Sequence, residues 1–160
     1  MKRETARYLA LLEKRLSAMH QLAQGIKDSS VALAEVDLDG IHQHTAHQEN
    51  LCTEIRFLNG ELDVALETLA SAFGLDRAHI NVNELVDRIE AEAAQRLRIL
   101  LNELTVAEAK VRRLNRIHSS LLQRSRRSVN VMMNFMANYS ATYQLPKAGA
   151  AAPSPTLVRA

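Results

Sequence analysis

A hydrophobic repeat averaging about three and a half residues runs through most of this chain and narrows its possible folds more than any other feature. Leu9, Leu12, Leu16, Met19, Ala23 and Ile26 are spaced 3, 4, 3, 4, 3. Leu38, Ile41, Thr45, Gln48, Cys52, Ile55, Asn59, Leu62, Leu66, Leu69 and Phe73 keep the same rhythm for five heptads. Side chains at that spacing share one face of a helix, and such a face is stable only against other helices. No run alternates with the two-residue period of a strand. The composition agrees, with 4% aromatics, no Trp, three Pro and five Gly among 160 residues, and an excess of Leu, Ala, Glu, Arg and Gln, all good helix formers. The expected fold is all-α: three long antiparallel helices forming a coiled-coil-like bundle, with an extended C-terminal amphipathic helix.

The first helix is expected from about Glu4 to Leu33. A link from Ala34 to Asp37 follows, ending in a carboxylate that can accept N–H groups at the start of the next helix. The second helix carries Thr45, Gln48 and Asn59 on its seam, where polar residues weaken packing but fix register. Gly74 suits a helix stop after Phe73, and Leu75 to Val82 reads as a loop. A third helix starts near Asn83, with Asn81 and Glu84 as a capping box. Its seam is Val86, Ile89 and Ala93, then, after a one-residue slip, Leu97, Leu100, Leu104, Ala107, Val111 and Leu114. Leu121 and Leu122 lead through a second slip near Ser125. Unbroken from Glu84 to Thr142, this helix would hold 59 residues and span roughly 90 Å, against about 45 and 54 Å for the first two. Its last third then has no long partner. The expected organisation is a bundle over 1–128, an amphipathic helix over 129–145 and a disordered tail over 146–160.

That last third is chemically distinct. Nine of the twenty Lys and Arg, and none of the eighteen acidic residues, lie from Lys110 onward, so a net charge of −7 over 1–108 is followed by +9. Within the basic part Val129, Met132, Met136, Tyr139 and Tyr143 fall on one helix face, with Met133 beside them. Thioether side chains re-pack around differently shaped partners at low cost, so a Met-rich helical face near a chain end suits the holding of another polypeptide. The same stripe could instead be ordinary core. The basic run also admits a nucleic-acid-binding helix. Against that, Arg112, Arg116, Arg126 and Arg127 scatter round the helix while Lys110, Arg113 and Arg124 share a side, and no aromatic is interleaved for stacking. A purely structural coiled-coil subunit is a third reading.

No catalytic constellation is visible: there is no Gly-rich phosphate loop, and the carboxylates are spread along polar faces. No enzymatic activity, cofactor or metal is expected. His44 and His47 have helical ligand spacing but His42 is two residues from His44 and points elsewhere, so the three read as solvated histidines. His118, inside the third seam, lacks the lysine and glycine that would follow a phosphotransfer histidine and reads as a buried, hydrogen-bonded one. The single Cys52 excludes an internal disulfide. Without a signal-like h-region or about 18 consecutive apolar residues, the expected location is the cytoplasm.

Particular residues then resemble a known family. Arg113-Leu114-Asn115, His118 and Leu121-Leu122 are similar to the core of FlgN-type flagellar export chaperones, in which an LN pair is followed by an LL pair. Thr142-Tyr143 before Gly149 resembles their C-terminal dipeptide. Val36-Asp37-Leu38-Asp39-Gly40-Ile41 matches the acidic turn opening the family's second helix, and Thr45 to Leu51 its "T, two residues, K or Q, E" stretch. The likeness spans about residues 5 to 145, with His118 in place of a usual Asn and Gln48 where Lys is common. It implies a cytoplasmic, non-enzymatic chaperone that holds the C-terminal helical segment of hook-filament junction proteins and delivers them to the type III export gate. The stripe then gives the expected client contacts, Val129, Met132, Met133, Met136 and Tyr139, while the resemblance implies gate docking through Tyr143, with Tyr139 as second candidate. Nucleic acid is not expected as a partner, nor is the chain expected to be membrane-embedded.

Overall fold

A computed structural model describes residues 2–75 and 82–142, leaving aside the side chains of 82, 83 and 138–142. Four helices follow one another: α1 (Lys2–Glu35), α2 (Leu38–Ala72), a short α3 (Val82–Val86) and α4 (Ala91–Thr142). No strand occurs among the described residues. The chain divides into two compact units, Met1–Leu122 and Gln123–Ala160. The first is an up-down-up bundle of α1, α2 and the front of α4.

α1 is its central helix because it is apolar on two adjacent stripes. Leu9, Leu12, Leu16, Ala23 and Ile26 are buried as their spacing predicts, with Met19 half-buried. A second stripe, Tyr8, Leu11, Ala18, Leu22, Gly25, Ser29 and Ala32, is buried beside it. This stripe is rich in small residues, so the α1 and α2 backbones approach closely: a Cβ added to Gly25 would lie 3.5 Å from Gln48 Cγ, and one added to Gly40 3.3 Å from Ala32 Cβ. α4 packs on α1 through longer side chains and runs parallel to it, as four cross-links from α1 to α4 and the residue just before it show. Lys2 pairs with Glu90, Glu13 with Arg96, Arg15 with Glu108 and Ser30 with His118.

The α2 seam is rotated from the expected one. Ile55, Leu62 and Leu69 are buried as read, but the positions between them are Leu51, Leu58 and Ala65. Cys52 and Leu66 are half-buried, and Thr45 and Asn59 are exposed, so they are not polar seam residues. Gln48 is one: its Nε2 donates to the Gly25 carbonyl at 3.0 Å.

Turn chemistry closes α1 and α2. The α1–α2 link is only Val36 and Asp37, shorter than expected. Asp37 N–H bonds Ala32 O at 2.9 Å and Val36 N–H bonds Leu33 O at 3.4 Å, a Schellman ending that forces Val36 to φ 60. Asp37 then caps α2, its Oδ1 accepting from Gly40 N–H at 3.0 Å. At the other end Gly74, at φ 66, closes α2 as anticipated. Leu75 N–H bonds Ala70 O at 3.0 Å, and the Leu75 side chain packs on the core.

The third helix is not continuous from Glu84. Helical structure breaks after Val86 and resumes at Ala91, so α4 has 52 residues, about 78 Å long. α3 exists because Leu85 and Val86 are buried, and Arg88 Nη1 donates to the Phe73 carbonyl at 2.9 Å, tying the break to the end of α2. The one-residue slip between Ala93 and Leu97 falls inside continuous α4 and does not mark this break. Asn81 and its capping box lie outside the described residues.

Candidate functional site

α4 changes character along its length. From Leu97 to Ala107 its seam is buried: Leu97, Leu100, Leu104 and Ala107 are at most 6% exposed. Val111, Leu114, His118 and Leu121 are half-buried. Beyond Ser125 every described side chain is exposed. Val129, Met132, Met133 and Met136, expected as contact residues, are 59–66% exposed. The Tyr139 side chain and Tyr143 lie outside the described residues. Val131 and Phe135, at 68% and 64%, are equally exposed and were missed in the sequence because a 3, 4 template selects one stripe. Six large apolar side chains within eight positions make an exposed collar, and their neighbours Asn130 and Asn134 bear the polar side.

The basic residues Lys110, Arg112, Arg113, Arg116, Arg124, Arg126 and Arg127 are all exposed. Arg112 approaches Glu108 Oε2 at 3.9 Å. Glu108 is the last acidic residue of the chain, and its Oε1 takes Arg15 Nη2 at 2.7 Å. Arg124, Arg126 and Arg127 immediately precede the collar, in a stretch of sequence with no acidic residue.

His118 is hydrogen-bonded as the seam reading expects, but half-buried rather than buried. Ser30 Oγ donates its proton to Ile26 O at 2.8 Å, which leaves the hydroxyl to accept from His118 Nδ1 at 3.0 Å. Burial holds the imidazole pKa below its ordinary value. Of the other histidines, His42 Nδ1 donates to Leu38 O at 2.8 Å, back into its own helix. His44 is half-buried and His47 exposed. Among the described residues no three His, Cys, Asp or Glu side chains converge as a metal site would require.

The motif residues thus have physical roles: the Val36–Ile41 turn is a Schellman ending fused to an Asp cap, and Leu114, His118 and Leu121 face inward on α4. The family model described as FlgN protein matches residues 1–148. This chain belongs to the FlgN family. FlgN proteins are flagellar export chaperones, so the sequence resemblance holds at the level of the family. No curated protein and no solved structure matches the chain. No described helix of this FlgN protein is long and apolar enough to cross a membrane.

Proposed function

We propose that this FlgN protein holds the C-terminal helical segment of hook-filament junction proteins in the cytoplasm until their delivery to the type III export gate. An unassembled junction protein presents an amphipathic terminal helix whose apolar face would aggregate, and a Met-rich surface can cover it reversibly. The supporting observation is the exposure of Val129, Met132, Met133 and Met136 on one segment of α4 in a chain of this family. Tyr139 extends that surface by its spacing, and Tyr143 is the gate-docking residue, a phenol offering a rigid apolar ring and one hydroxyl to a pocket. No step needs a cofactor or a metal.

Replacing both Met132 and Met136 with Asp puts charge into the proposed contact, and loss of well-placed anchors costs on the order of 2 kcal/mol or more. Client binding in a pull-down is expected to be lost while the melting temperature stays unchanged, since both side chains are exposed. Unfolding of the double variant would show that the stripe is core. Tyr143→Ala is expected to leave the client bound but to weaken recovery of the gate's cytoplasmic domain. Equal recovery by both proteins would remove Tyr143 from the docking role.

A further inference from the structure

We propose that the segment 123–137 of α4 is also an interfacial anchor for anionic phospholipid, Val131 and Phe135 entering the acyl boundary and Arg124, Arg126 and Arg127 engaging headgroup phosphates. At about 100° per residue, Val131, Phe135, Met132, Met136, Val129 and Met133 follow one another around an arc of roughly 200°. A single docked helix covers a stripe little wider than about 100°. A client on Val129, Met132 and Met136 therefore leaves Val131 and Phe135 in water, although they are among the most exposed apolar side chains of the chain. A bilayer surface can bury the whole arc, because the acyl boundary closes around a helix lying in its plane.

The charges select the kind of surface. Arg124 and Arg126 project near the two edges of the arc, and Arg127 lies on the polar side with Asn130 and Asn134. Edge arginines can snorkel to headgroups while the collar is immersed. No acidic residue follows Glu108, so nothing in the segment repels an anionic leaflet. The same scatter that prevents the arginines from tracking one phosphate backbone suits a plane lying along both sides of the helix. Since the segment is too polar to span a membrane, the mode is lying on the surface. This inference stands apart from client holding, because Val131 and Phe135 lie off the client stripe.

The test is sedimentation of the full chain with phosphatidylcholine vesicles, with and without phosphatidylglycerol. Binding is expected only with phosphatidylglycerol and should fall steeply with salt. Replacing Arg124, Arg126 and Arg127 together with Gln should weaken it roughly a hundredfold, each surface arginine contributing about fivefold. Replacing Val131 and Phe135 together with Ser should weaken it at least about tenfold, with the circular dichroism spectrum and client pull-down unchanged. Equal binding to neutral vesicles, or undiminished binding by the Val131 and Phe135 variant, would overturn the proposal. Release from vesicles by duplex DNA that the protein binds more tightly would overturn it too, assigning the arginines to nucleic acid.

Discussion

Val36 holds a backbone conformation that suits glycine. At φ 60 its β-branched side chain meets the left-handed clash, which costs roughly 1–2 kcal/mol, yet the Schellman bonds to Ala32 and Leu33 leave no other choice. Val36→Gly is expected to stabilise the protein by about 1 kcal/mol and to raise Tm by roughly 3 °C. Two glycines provide the contrast. An added Cβ at Gly60 meets nothing within 4 Å, so Gly60→Ala should gain about 0.5–1 kcal/mol in urea unfolding. At Gly40 the same Cβ would run into Asp37 Oδ2. Gly40→Ala displaces the capping carboxylate, at a cost of about 1 kcal/mol, and is expected to bring no net gain. His118 adds a pH dependence. Its folded pKa is depressed by burial, so the unfolded chain binds the proton more readily and stability falls as pH drops through the ordinary histidine value of about 6.5. His118→Gln should flatten the plot of unfolding free energy against pH between about 7 and 5, as followed by urea titration.

At the scale of elements, the helices and the Gly74 stop were legible in the sequence, but the phase of α2 was not. Ile55, Leu62 and Leu69 belong to both candidate stripes, which differ only in whether Cys52, Asn59 and Leu66 or Leu51, Leu58 and Ala65 lie between them. Spacing is identical for the two, and only the partner decides. α1 offers Ala18, Gly25, Ser29 and Ala32 to α2 and so draws its backbone close on the side of Leu51, Leu58 and Ala65. The break between α3 and α4 is not legible, because no Pro or Gly marks residues 87–90. The register of α4 on α1 depends on Arg15 and Glu108, whose side chains are only 22% and 30% exposed. Truncating one partner strands a charge in a partly dry seam. Glu108→Ala is expected to cost about 2 kcal/mol, whereas Arg15→Met combined with Glu108→Leu should recover most of it. A double-mutant cycle with a coupling energy below about 0.5 kcal/mol would place the pair among ordinary surface bridges.

For the whole molecule, the candidate surface was legible as a Met stripe, while Val131 and Phe135 were not, because an unopposed helix face is not confined to a stripe. Every large side chain in the core cluster precedes Ser125. A chain ending at Ser128 is therefore expected to melt within about 2 °C of the full protein while recovering no client in pull-downs. The two-sided burial of α1 also sets an order of events in folding. Its partner α2 arrives after a two-residue link, so that hairpin closes at almost no entropic cost. The contacts with α4 join residues 83 to 93 apart and wait for a far larger loop to close. During synthesis the first helix is thus half-housed for the time it takes to make some fifty further residues. For that interval a protein whose family guards the sticky segments of others carries an unguarded one of its own.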